Sequence, residues 1–145
     1  MQTIQWFPGH MAKTRRIMRE NLSQVDIVLE LVDARIPESA RNPEIAALTA
    51  GKPVLTLLNK SSLADPAVTK AWVTTFRARG ENALAIDCVT GEGIGQIGTV
   101  IRQILADKVQ RYAARGMSGR KLRAMVVGIP NVGKSSLINR LCGGK

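Results

Sequence analysis

The sequence predicts an α/β fold, a parallel sheet with helices on both faces. Three observations predict it. Short apolar runs alternate along the chain with segments patterned at helical spacing. The runs are apolar almost throughout, as strands covered on both faces are, instead of alternating with polar residues. Asn-Pro, Asp-Pro and glycine punctuate the junctions, so each run is followed by a helix, and a β-then-α order closes into parallel pairing.

Taken in order, residues 11–23 carry Met11, Met18 and Leu22 at helical spacing, within a basic N-terminal helical segment spanning 1–24. VDIVLELV at 25–32 reads as a buried strand, followed by the polar loop DARIPESARN. Asn42-Pro43 caps and opens a helix that Gly51 stops. PVLTLL at 53–58 is the next strand. Asp65-Pro66 caps a further helix, ended by Gly80, whose Val68, Trp72 and Phe76 share one face. ALAIDC at 83–88 is a third strand. From about residue 93, Ile94, Ile97, Ile101, Ile104, Leu105 and Tyr112 mark one long amphipathic helix. LRAMVVG at 122–128 is a fourth strand, with a helix starting near Gly133.

Size and composition narrow the function. A chain of 145 residues suits one domain, and at that length roughly two-thirds of the unfolded surface is buried on folding. With 45% hydrophobic and 22% charged residues, disorder is not expected. No apolar run approaches the ~18 residues of a membrane span, and the start MQTIQWFPGH lacks a signal-peptide core. Cys88 and Cys142 fit neither a disulfide framework nor zinc-ligand spacing, so a reducing, cytoplasmic location is expected. The 21 basic residues against 11 acidic give +10, which favours a polyanionic partner over none. Lys13, Arg15, Arg16 and Arg19 crowd one segment; Arg102, Lys108, Arg111, Arg115, Arg120, Lys121 and Arg123 crowd another. Aromatics make up only 3% and are scattered, so contact with a phosphate backbone is expected in place of base stacking. The same charges also serve as the solvated faces of helices.

The strongest motif is Gly128-Ile129-Pro130-Asn131-Val132-Gly133-Lys134-Ser135. It matches GxxxxGK[ST] between an apolar strand and a helical pattern, the context a phosphate-binding loop requires. Its glycines let backbone N–H groups face phosphate oxygens, and the helix N-terminus adds positive potential. Lys134 bridges the terminal phosphates in this reading, and the Ser135 hydroxyl ligates Mg²⁺. Leu58-Asn59-Lys60 ends a strand, where open α/β sheets bind ligands, although such a pair is also an ordinary turn. Cys88-Val89-Thr90-Gly91-Glu92-Gly93 also follows a strand; it reads equally as a plain turn and as a loop small enough to approach a base.

Asn59-Lys60, the small-residue loop and GIPNVGKSS resemble the base and phosphate elements of translation-factor-type GTPases, with the phosphate loop last in the chain. WFPGHMAKTRR, the Asp33-Ala34-Arg35-Ile36-Pro37 loop and GIPNVGKSSLINRL resemble the circularly permuted ribosome biogenesis GTPase A family. The likeness covers essentially residues 1–145. It implies a P-loop NTPase-like sheet, circularly permuted and incomplete in this chain, with strand order 122–128, 25–32, 53–58, 83–88. Residues 93–121 would join the old termini. It also implies a GTPase that acts in assembly of the large ribosomal subunit, with GTP/GDP, Mg²⁺ and K⁺ bound and the subunit precursor and its rRNA as partners. Asn59 and Lys60 would contact and flank the guanine, and Cys88 and Val89 would approach it through their backbone. Asn131, Val132, Gly133, Lys134, Ser135 and Ser136 would hold the phosphates, and Asn131 a monovalent cation. His10 matches a histidine proposed to assist water attack; on composition alone it reads as a turn or contact residue.

Two departures qualify that picture. Where the family reads guanine with Asn-Lys-x-Asp, this chain has Asn59-Lys60-Ser61-Ser62; losing the charge-assisted bond costs roughly 1.5–3 kcal/mol of guanine preference. An adenine-nucleotide P-loop protein is therefore one alternative. The switch threonine and Asp-x-x-Gly segment are absent from the 145 residues. The expectation is the front part of a longer GTPase, itself binding nucleotide or rRNA without appreciable turnover. With the flanking strands missing, Met125-Val126-Val127 should form an open apolar edge, and the chain should self-associate through 122–128 or be disordered near its C-terminus.

Overall fold

In the computed structural model, the described residues are 2–5, 11–35, 37, 47–49, 51–60, 63–116, 122–128 and 134–141. Five strands form one sheet: β1 (Gln2–Gln5), β2 (Ile27–Asp33), β3 (Val54–Asn59), β4 (Asn82–Ala85) and β5 (Ala124–Gly128). Their order is β1-β5-β2-β3-β4, and every pairing is parallel. The expected order of β5, β2, β3 and β4 is the observed one. The helices are α1 (Met11–Leu22), α2 (Pro66–Ala78), α3 (Ile94–Ile104), α4 (Ala106–Ala114) and α5 (Lys134–Leu141).

The strands are apolar on both sides because helices cover both sides. Ile27, Leu29 and Leu31 of β2 join Leu55, Leu57 and Val126 on one face, under Ile97 of α3, Leu105 and Leu137 of α5. The alternate residues face the other way. Val28, Met125 and Val127 pack against Met18 of α1. Val32, Leu58 and Ala83 pack against Phe76 of α2. Phe76 is fully buried, a burial that contributes roughly 1.5–3 kcal/mol.

The structure departs from the sequence reading in four places. Within the segment 1–24, Gln2–Gln5 is a strand and only Met11–Leu22 is helix. β1 lies beside β5, with Gln2 opposite Met125 and Gln5 opposite Gly128. The edge at 122–128 is therefore not open: Met125, Val126 and Val127 are fully buried between β1 and β2, which removes the basis for self-association there. The long helix is two, α3 and α4, joined at Leu105, where φ is −99° and ψ is 19°. Leu105 is buried, so the bend brings an apolar residue onto the sheet while i to i−4 bonding continues through it. On α2, the buried face runs through Thr69, Trp72, Val73 and Phe76, and Val68 is 49% exposed.

Two junctions follow the sequence reading. Asp65 caps α2, its Oδ1 accepting from the Ala67 N–H at 2.9 Å. Gly93, at φ +74°, precedes α3 at a point where a Cβ would stand 2.4 Å from the Ala85 carbonyl oxygen. Only glycine fits there. Most of the predicted helix at 43–50 lies outside the described residues.

Candidate nucleotide site

Because all five strands are parallel, their carboxyl ends share one edge of the sheet, the place where open α/β sheets bind ligands. The register sets Asp33 beside Asn59 and Leu58 beside Ala85, so the loops after β2, β3 and β4 are neighbours. A cavity of about 620 Å³ lined by Arg77, Glu81, Asn82 and Gln103 lies elsewhere, beside the start of β4.

Asn59 closes β3 and is buried to 2% exposure. Its side-chain Oδ1 accepts a hydrogen bond from the Cys88 N–H at 3.1 Å. Lys60 follows with φ of 66°, the one positive φ outside glycine among the described residues. A left-handed lysine is a strained conformation of the kind found where a loop is shaped for a ligand. Its ammonium lies 3.6 Å from Asp33 Oδ2. Asp33 also accepts from Arg35 Nε at 3.0 Å, Arg35 Nη2 at 2.7 Å and the Arg35 backbone N–H at 2.9 Å. These Arg35 bonds hold the Asp33 carboxyl below its usual range despite its burial, with Lys60 adding to the effect.

The loop after β4 is organised by Asp87, which is buried. Its Oδ1 accepts from the Val89 and Thr90 N–H groups at 2.8 and 3.0 Å, and its carbonyl accepts from the Gly91 N–H. The Cys88 and Val89 amides, which the sequence reading offers to a base, thus already donate to Asn59 and Asp87. The Cys88 side chain is buried, and burial pushes its thiol up to about 11, with Asp87 adding and Arg140 opposing. Val89 is 83% exposed and presents an apolar side chain at the loop's rim.

The other wall comes from α5. Arg140 donates from Nε to the Cys88 carbonyl at 2.9 Å and from Nη2 to the Val89 carbonyl at 2.8 Å. α5 begins at Lys134, and β5 ends at Gly128, so the GIPNVGKSS stretch joins strand to helix as the motif requires. Buried Leu137 anchors that helix to the sheet, and Ser136 is exposed in its first turn. Asn131, Val132 and Gly133 lie outside the described residues, as do His10, Ser61 and Ser62; of Lys134 and Ser135, only the backbone is described. Sequence reasoning missed Asp87 and Arg140. Asp87 had a local signal, an aspartate two residues before an amide it binds. Arg140 had none, since its partners lie 51 and 52 residues away.

Residues 123–145 match the model of a protein family described as 50S ribosome-binding GTPase. Over 139 residues, the chain is 55% identical to the ribosome biogenesis GTPase A of Bacillus pumilus, covering 96% of this chain and 49% of that protein. Along almost its whole length the chain is similar to the ribosome biogenesis GTPase A proteins. It spans about half the length of the curated relatives it matches. The mouse mitochondrial ribosome-associated GTPase 1 is 43% identical over 94% of this chain and 41% of its own. Among solved structures, GNP-bound YlqF from T. maritima superposes with a TM-score of 0.63 at 30% identity, covering 90% of this chain and 48% of that one. The GDP-bound YlqF structure superposes equally well, at 29% identity. Asn59-Lys60 and the loop at 88–93 precede GIPNVGKSS in the chain, yet β3, β4 and β5 end along one edge.

Proposed function

We propose that this chain supplies the purine- and phosphate-binding half of a GTPase that acts in assembly of the large ribosomal subunit. The observation that carries this reading is the Asn59–Cys88 bond: it closes the loops after β3 and β4 into one wall, on the edge where the strand-to-helix junction of GIPNVGKSS also lies. With Oδ1 committed to Cys88, the Asn59 amide has its Nδ2 donors suited to acceptors on a purine. The Lys60 stem, held by Asp33, flanks the ring. Val89 bounds it from the loop's rim, and a donor to the base from that loop shares a hydrogen with Asn59 or Asp87. Lys134 and Ser135, with Asn131, Val132, Gly133 and Ser136, hold the phosphates. Ser135 is the Mg²⁺ ligand, and Asn131 holds K⁺. Mg²⁺ arriving with the nucleotide would be held by Ser135 and would supply positive charge to offset that developing on the phosphates. His10 is the proposed positioning group for water attack.

The exposed Arg16 and Arg19 of α1 and Arg111 and Arg115 near α4 suit rRNA phosphates of the subunit precursor, and the working location is the cytoplasm. Isothermal titration with GTP, GDP and ATP, with and without Mg²⁺ and K⁺, tests the nucleotide reading. Heat with guanine nucleotides that Lys134→Ala abolishes supports it; no heat with any purine nucleotide overturns it. ATP binding as tightly as GTP favours the adenine-nucleotide reading, for which Ser62 in place of the family aspartate is the motivating residue. Binding to rRNA should weaken steeply with salt if phosphates are contacted, and a flat response removes rRNA from the account.

A further inference from the structure

One side chain, Arg140, holds two successive carbonyls of the loop after β4, and it stands on the helix that begins at the phosphate motif. We propose that Arg140 is a positioning residue that couples base selection to phosphate binding: it sets the Cys88–Val89 segment against α5, so that the base is gripped in register with the phosphates. The inference rests on the nucleotide reading above and extends it to a residue outside the binding motifs.

Three features carry it. The guanidinium uses Nε and Nη2 on adjacent carbonyls, at 2.9 and 2.8 Å, a fork geometry that lysine cannot reproduce. Residue Cys88 is held from both sides, its N–H by Asn59 of β3 and its C=O by Arg140 of α5, so the loop's position is defined by both elements at once. Gly91, at φ +88°, leaves the space the guanidinium uses: a Cβ there would stand 3.3 Å from Arg140 Nη1. Beyond Ala85, where β4 ends, the Cys88 and Val89 carbonyls have no ladder in which to pair, and Arg140 is the contact that ties them to the phosphate side.

The test compares the wild-type chain with Arg140→Ala and Arg140→Lys, using GDP, ADP and inorganic tripolyphosphate with Mg²⁺ as probes. The alanine variant should lose about fivefold to tenfold in GDP affinity, keep tripolyphosphate affinity within about twofold, and show a smaller GDP-to-ADP ratio. Lysine, able to make one bond at most, should fall between. Without ligand, amides 88–91 should exchange faster in the variants while those of β2 and β5 do not. If GDP and tripolyphosphate weaken equally, or β5 loses protection too, Arg140 is only structural and the proposal is overturned; the lysine variant decides this if alanine fails to fold. Wild-type binding with unchanged selectivity and exchange in the variants overturns this inference alone. Failure of the wild-type chain to bind any nucleotide overturns the functional reading and this inference with it.

Discussion

The side-chain oxygen of Asn59 accepts the Cys88 amide at 3.1 Å, across 29 residues of sequence and inside the protein. That bond turns two strand ends into one surface. Replacing Asn59 with alanine leaves a buried N–H unsatisfied and should cost about 1–3 kcal/mol, read as a lowered denaturation midpoint. Asn59→Asp keeps an acceptor for Cys88 and loses the Nδ2 donors. Its stability should fall less than that of Asn59→Ala, while purine-nucleotide affinity falls by about tenfold or more. Unchanged purine-nucleotide affinity in Asn59→Asp would remove Asn59 from the base-binding account.

Gly93 is the second test. An alanine there combines a left-handed backbone with a Cβ 2.4 Å from the Ala85 carbonyl oxygen. The backbone cannot yield without moving the end of β4, so Gly93→Ala should destabilise by at least about 2 kcal/mol. Gly95→Ala, at the second residue of α3 and with open space around it, is the control and should be neutral or stabilising. Thermal melts of the two variants separate the effects.

A third prediction concerns acid. Asp26, at the entry to β2, is buried beneath α4. Burial raises its pKa, but the Lys108 ammonium at 2.6 Å, the Arg123 N–H at 2.8 Å and the Tyr112 hydroxyl outweigh it, leaving the carboxyl below its usual 3.8. Asp33 is held low by Arg35. A carboxyl with a lower pKa folded than unfolded binds fewer protons in the folded state, so it stabilises fully above the ordinary value and loses that contribution as pH falls through the folded one. The chain should lose stability as pH drops below about 4. Asp26→Asn should flatten part of that slope in denaturation series at stepped pH. An unchanged slope would show that the carboxyl does not stabilise through its charge.

Cys88 supplies a fourth. With the thiol pushed up to about 11 and buried, only about one molecule in a thousand carries thiolate at pH 8. Iodoacetamide should modify Cys88 at least about a hundredfold more slowly than a small free thiol of ordinary pKa. Peptide mass spectrometry over time reads this directly. Rapid labelling would mean that the 87–91 loop opens far more often than its bonds to Asn59, Asp87 and Arg140 imply.

The legible parts of this protein were those with a short-range cause. The strands at 27–33, 54–59, 82–85 and 124–128 announced themselves as apolar runs, and the Asp65 cap and the glycine turns followed from side-chain and backbone chemistry a few residues wide. β1 was not legible, because QTIQ has too little apolar pattern; it becomes a strand by pairing with β5, whose partner residues lie 123 positions away in the chain. The bend at Leu105 was hidden for a similar reason. Neither proline nor glycine breaks the periodicity there, and the turn is set by what lies beneath the helix.

Alternation of apolar runs with helical patterns, and the GxxxxGKS spacing between a strand and a helix, were enough to specify a doubly covered parallel sheet with a phosphate motif, because each depends on residues close together in the chain. The covered β5 edge, the two-sided grip on Cys88 and the Asp26 cluster under α4 required the folded chain. Their partners are separated by dozens of residues, and one-dimensional spacing carries no information about which distant backbone group a buried amide or guanidinium will find. Packing and the need to satisfy every buried polar group make that choice.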